Sequence, residues 1–274
     1  MADTYPFSVG NFNCIVLKDG CSAVDNPSDR LPTASPEAIQ AAMDARGIET
    51  IISCFNCLYI DTGGHKVLVD TGLGKMGHAG HLVDGLADNG ITQEAIDTVV
   101  ITHFHGDHIN GILDNNGKAN FPTARYVAWK TEWDYWTSDE KMMDMDEQWR
   151  ARMQPRFDMM NQNLVLMTGE NEIVPGISAV SLPGHTPGHM GVLVESDGEK
   201  LLAVVDMINL QPQLANTDWA FVYDNNPVQA SQTRKNTLTR AADENLVTLM
   251  YHFPFPGLGR VGIEGNEFTW TPID

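Results

Sequence analysis

The chain has 274 residues, with 17 Lys and Arg against 36 Asp and Glu, so its formal net charge is −19. That excess of negative charge repels phosphate backbones, and with no basic patch in the sequence it argues against a nucleic-acid partner. No apolar stretch approaches the roughly 20 residues that span a bilayer, and Met1 to Gly10 lack both a basic start and an apolar core of signal-peptide length, so a soluble cytoplasmic protein without a membrane partner is expected.

No Pro/Ser/Gly-rich linker, charge block or fixed-period repeat divides the chain, and one domain over residues 1–274 is expected, with 1–50 as an N-terminal extension packed on it. The cysteines are Cys14, Cys21, Cys54 and Cys57. Cys54 and Cys57 lie in the apolar run from Ile51 to Ile60, which reads as a strand. Residues three apart in a strand point to opposite faces and cannot share a metal, so buried free thiols in a reducing compartment are expected. Ile51–Ile60 and Lys66–Asp70 flank the turn Asp61-Thr62-Gly63-Gly64 and predict a hairpin. His81–Asn89 and Thr92–Ile96 suggest a helix before the strand-like run Thr98–Thr102. Met142–Asn161 and Pro227–Asn245 read as helices, the second with Pro227 in its first turn and Arg234, Lys235 and Arg240 toward solvent. Strands are predicted at Ile173–Leu182, Val192–Glu195, Leu201–Asp206 and Leu246–Tyr251, with Phe268–Thr271 as a closing edge strand.

The chemistry concentrates directly after Thr102, where His103-Phe104-His105-Gly106-Asp107-His108 packs imidazoles and a carboxylate around a glycine that lets the backbone turn. Histidine and aspartate at this density form a ligand set for zinc, manganese, iron or cobalt. Other apolar runs also end in ligand-type residues: Val67–Val69 at Asp70, Ile177–Leu182 through Pro183-Gly184 at His185, Leu201–Val205 at Asp206, and Leu246–Tyr251 at His252. Strand tips fix side chains while the loops beyond them stay open to ligand, so this recurrence points to one metal centre assembled from separated pieces of chain.

The order His103-x-His105-x-Asp107-His108, His185, Asp206, His252, with Val69-Asp70-Thr71-Gly72 before it, resembles the metallo-β-lactamase superfamily from about Ile51 onward. That resemblance implies an α/β fold, a four-layer αββα sandwich with the metal centre at the shared edge of two sheets. Pro183-Gly184-His185-Thr186-Pro187-Gly188-His189, the Glu132-Trp133-Asp134-Tyr135-Trp136 segment and His252-Phe253-Pro254-Phe255-Pro256-Gly257 are similar to the methyl parathion hydrolase branch, which includes lactonases, arylesterases and organophosphate hydrolases.

By this resemblance, His103, His105 and His185 hold one divalent ion, Asp107, His108 and His252 a second, and Asp206 bridges them; zinc is the first choice, with manganese, iron or cobalt as others. Asp107 and Asp206 are then the carboxylates of a centre whose shared hydroxide attacks a lactone or carboxylic ester, with triester hydrolysis as a side activity. Asp70 and His189 are expected behind the ligands, His65, His78 and His81 on the surface, and Trp136 and Phe253 in the wall of an apolar substrate pocket. A small-molecule substrate and a homodimer are expected. The alternatives are a primary organophosphate hydrolase or β-lactamase and, in another class, an iron-dependent oxidoreductase of the same superfamily. The lack of a signal segment counts against the β-lactamase, and His105 stands where the diiron oxidoreductases look for Glu.

Overall fold

A computed structural model describes residues 3–75 and 79–273. Among them, β1 (Thr4–Val9), β2 (Phe12–Ala23), β3 (Ile52–Asp61), β4 (Lys66–Val69), β5 (Thr98–Val100), β6 (Arg125–Trp129) and β7 (Leu164–Met167) form one seven-stranded sheet in chain order. The second seven-stranded sheet likewise keeps neighbours in sequence side by side: β8 (Glu172–Val174), β9 (Ile177–Ser181), β10 (Met190–Ser196), β11 (Glu199–Ala203), β12 (Val247–Leu249), β13 (Leu258–Glu264) and β14 (Glu267–Pro272).

β4 and β5 read as continuous apolar runs because both faces are covered. Val16, Leu58, Val67 and Val100 from the first sheet meet Ile177, Val192, Leu201 and Leu249 from the second in a core between the sheets. Outside the first sheet, Leu68, Val99 and Tyr126 pack with Leu82 and Leu86 of the Leu82–Asp88 helix and with Met153, Phe157 and Met160 of the Glu147–Asn161 helix. Outside the second, Leu202, Val204 and Val261 pack against Leu238 and Ala241 of the Pro227–Asp243 helix. The layers are therefore helix, sheet, sheet, helix, the αββα sandwich. None of the helices among the described residues is long and apolar enough to cross a membrane.

Several expectations change in detail. Much of the N-terminal 50 residues is built into the first sheet instead of lying on it: β2 pairs antiparallel with β3 along its length, with a register shift between Lys18 and Gly20. That register sets Cys21 opposite Cys54, and the two form a disulfide. The expectation of free thiols thus fails for Cys54 and holds for Cys57, which is free and buried, as is Cys14. The long helix expected over 142–161 breaks at Met145, where Asp146 caps a new helix by accepting from the Trp149 N–H. Pro175-Gly176 divides the run 173–182 into β8 and β9, with Gly176 at φ 82°. Arg234, expected toward solvent, is fully buried.

The sheet connectivity positions the chemistry. β4 and β5 are parallel, so Asp70 and the His103–His108 run leave the first sheet at the same end. β9 and β11 both pair antiparallel with β10, and β11 is parallel to β12, so the second sheet releases His185, Asp206 and His252 at one end as well. Leu238→Ala, which truncates a fully buried side chain of the outer helix far from this end, should cost about 2–5 kcal/mol in urea unfolding while leaving bound-metal content unchanged.

Candidate metal centre

At this shared end, Nε2 of His103, Nδ1 of His105 and Nε2 of His185 converge, with His105 Nδ1 lying 3.1 Å from His103 Nε2 and 2.9 Å from His185 Nε2. The partners behind the rings decide which nitrogens carry hydrogen. Thr102 Oγ1 donates to Asp70 Oδ2, so it accepts from His103 Nδ1 at 3.2 Å and leaves His103 Nε2 with its lone pair inward. His185 donates from Nδ1 to Asp224 Oδ1 at 3.1 Å, leaving Nε2 inward as well. Lone pairs at such separations repel unless a cation lies among them. Burial and the neighbouring imidazoles push His105 down to about 3 and His103 well below the usual histidine range, so both rings are neutral donors at neutral pH.

The second convergence involves Asp107, His108, Asp206 and His252. His108 Nε2 lies 3.5 Å from Asp107 Oδ2 and 3.2 Å from Asp206 Oδ1, and His252 Nε2 lies 3.4 Å from Asp107 Oδ2 and 3.1 Å from Asp206 Oδ2. His108 and His252 donate their Nδ1–H groups to Asp70 Oδ2 at 2.8 Å and to the Cys54 carbonyl at 3.0 Å, which turns both Nε2 atoms inward. Although burial works against every charged form, the surrounding carboxylates raise His108 and His252, and the two imidazolium rings hold Asp107 down to about 2. Asp206 is lowered well below the carboxylate range in the same way, by His252 and His108.

Asp206 is common to both sets, and within each set the potential ligand atoms all lie within 4.8 Å of one another. Tetrahedral zinc with bonds of about 2.0–2.1 Å has ligand-to-ligand edges of roughly 3.3 Å, which the observed separations bracket. Two atoms facing this region, His108 Nε2 and Asp206 Oδ1, are buried without a hydrogen-bond partner. Buried polar atoms are ordinarily paired, so the donor set fits a pair of divalent cations.

The supporting residues explain the glycines of the Pro183–His189 loop. A side chain at Gly184 would meet the backbone of Ala230, and one at Gly188 would meet that of Glu132 at 2.2 Å, so the loop is held between two helix starts. Glu132, fully buried, accepts from the Phe104 N–H and Trp136 Nε1 through Oε1 and from the Gly188 N–H through Oε2. One carboxylate thus ties the His103–His105 strand end to the His185 loop. Sequence reasoning missed Glu132, which no apolar run directly precedes, and Asp224, which ends the apolar run Trp219–Tyr223 in an irregular segment and not at a strand tip. His189 is buried behind the ligands, donating from Nδ1 to the Leu182 carbonyl and accepting from the Asp206 N–H at Nε2.

A cavity of about 780 Å³ opens onto His105, Asp107, Asp206 and His252. Phe55, Leu73, Trp149, Leu210, Phe221 and Tyr223 give it apolar walls, and residues 22–26 give it a polar one. Neither expected pocket residue lines it. Trp136 is turned away by its bond to Glu132 and stacks behind Trp149 at 5.2 Å, and Phe253 is fully buried against Trp270 in the outer core of the second sheet. His81 is exposed and His65 lies 3.4 Å from Asp97, while His78 falls outside the described residues.

The Metallo-beta-lactamase superfamily model matches residues 56–249. An N-acyl homoserine lactonase from a Bacillus species is 26% identical over 171 residues, covering 54% of this chain and 62% of that protein. The chain therefore spans 62% of the length of that curated relative. The solved structure of AidC, a dizinc quorum-quenching lactonase in complex with a product, is similar with a TM-score of 0.91 at 24% identity, covering 100% of this chain and 98% of that one. The hydrolase AbOPH, of the beta lactamase superfamily, follows with a TM-score of 0.86 at 22% identity, covering 100% and 98% of the two chains. At these identities the structural likeness is one of fold.

Replacing Glu132 with Ala would strand the buried Phe104 and Gly188 amides, each worth about 1–3 kcal/mol when unpaired, so Glu132→Ala should lose on the order of 2–5 kcal/mol in urea unfolding.

Proposed function

Because the chain belongs to the metallo-β-lactamase superfamily, we propose that it is a dinuclear metal-dependent hydrolase of lactones, with N-acyl homoserine lactones as the leading substrate class and other carboxylic esters beside them. The observation that carries this reading is the single carboxylate, Asp206, shared by two histidine-rich sets at the floor of an open cavity. His103, His105 and His185 would hold one divalent ion and Asp107, His108 and His252 the other, with Asp206 between them and zinc as the natural occupant. Such a pair, when bound, supplies Lewis acidity toward a carbonyl oxygen and brings the pKa of water near neutrality.

The chain's own contribution is orientation and shelter. Asp70, Asp224 and the Cys54 carbonyl fix the rings of His108, His185 and His252 so that their Nε2 atoms face the centre. Phe55, Leu210 and Phe221 offer apolar surface to an acyl chain, while the side open to solvent lets water in and a ring-opened acid out. A thiol nucleophile does not compete with this scheme: Cys14 and Cys57 are buried, and burial pushes Cys14 up to about 12. Triester hydrolysis, β-lactam opening and iron redox chemistry have no specific feature of the cavity in their favour. A homodimer is part of the proposal. Cytoplasmic residence fits poorly with the Cys21–Cys54 bridge, because such bonds are rare in reducing compartments.

Lactone opening releases a proton, so a pH indicator follows it. Zinc-loaded enzyme should open N-acyl homoserine lactones faster than it turns over simple lactones, aryl esters, a dialkyl aryl phosphate or a cephalosporin, and chelation should abolish activity until metal returns. Faster turnover of the phosphate would reverse the assignment. Asp206→Asn, which replaces the shared anion with a neutral amide, should hold fewer than two ions by elemental analysis and lose on the order of 100-fold or more in kcat.

A further inference from the structure

The two ligand sets are backed by different carboxylates. Behind His108 stands Asp70, fully buried, whose other hydrogen bonds come from the neutral Thr102 N–H and Oγ1 groups at 2.9 and 2.8 Å. Behind His185 stands Asp224. Its Oδ1 accepts from His185 Nδ1, and its Oδ2 accepts from the Phe221 N–H at 2.9 Å and from Arg234 Nη2 at 3.3 Å. Neither side chain of the Asp224–Arg234 pair is exposed. The same guanidinium donates to the carbonyl of Met207, next to Asp206, and to those of Thr217 and Trp219, so Arg234 secures both the Asp206 turn and the segment that carries Asp224.

The charges around the two sets are therefore unequal. The set containing Asp107 has that carboxylate in addition to the shared Asp206, and among the described residues the Asp70 behind it meets no Lys or Arg. The three-histidine set has only its share of Asp206, and the Asp224 behind it is balanced by Arg234. A carboxylate that supports a ligand histidine makes the ring a stronger donor, and a cation beside that carboxylate weakens the effect.

We propose that Asp224 is the positioning residue of His185 and that its pairing with Arg234 leaves the His103/His105/His185 position the weaker of two metal positions, filled second. This rests on the dinuclear reading of the site. A divalent cation enters first where Asp107 and Asp206 together oppose its charge, and then occupies the position in front of Asp224.

Titration of metal-free full-length protein with Zn²⁺ by calorimetry, repeated with Co²⁺ and its visible absorption, tests this directly. Two steps of unequal affinity are expected. Asp224→Asn should weaken only the second step, by about 10–100-fold, and Asp70→Asn only the first. Arg234→Lys, which retains the charge but not the spread of contacts, should shift the second step in the same direction by less, and serves if Asp224→Asn does not fold. Two steps of equal affinity, an Asp224→Asn effect on the tighter step, or no effect on either would overturn the assignment while leaving the dinuclear reading intact. Uptake of fewer than two ions by the unaltered protein would remove both.

Discussion

The structure turns on the mutual repulsion of inward-facing lone pairs and carboxylates at one point. His105 Nδ1 lies about 3 Å from both His103 Nε2 and His185 Nε2, and two aspartates face the remaining pair of histidines. Such a grouping is unfavourable by itself and becomes favourable only around positive charge. Much of what surrounds it holds those groups in place: the rings are turned by hydrogen bonds on their far sides, and the ligand loops are held close to neighbouring backbone. Two sheets are needed because neither alone releases enough ligands at one end.

That convergence was legible in the sequence because each ligand follows a short apolar run. The period of the strand fixes where the chain stops being core, and the next polar residue is where chemistry appears. The β3–β4 hairpin, the Leu82–Asp88 and Pro227–Asp243 helices and the edge strand β14 were legible from the same patterning, whereas the four layers came only from the family resemblance carried by the ligand motifs. Residues whose role depends on a distant partner were not. Arg234 lies on a mostly polar helix and reads as solvent-facing until the 207–224 loop folds over it and supplies carbonyls and a carboxylate. Glu132 reads as one acid in an aromatic segment, and its amide partners lie 28 and 56 residues away. Cys21 and Cys54 are 33 residues apart and meet only through a register that contains an irregularity.

The aromatic residues show the limit of composition as a guide to pockets. Trp136 and Phe253 have the size and chemistry of wall residues, but each is withdrawn by a better partner: Glu132 for the indole N–H and Trp270 for the phenyl ring. The cavity is faced instead by Trp149, Phe221 and Tyr223, from a helix broken at Met145 and from an irregular stretch with no periodic signal.

The division of labour along the chain has an evolutionary corollary. The region matched by the superfamily, residues 56–249, carries six of the seven candidate ligands, whereas the cavity wall built from Ser22 to Arg30 lies outside it. Most of the candidate ligands thus lie inside the matched region, while one wall of the cavity lies outside it. Change in the strand end after Gly20 can therefore reshape that wall of the cavity while leaving six of the seven candidate ligands in place.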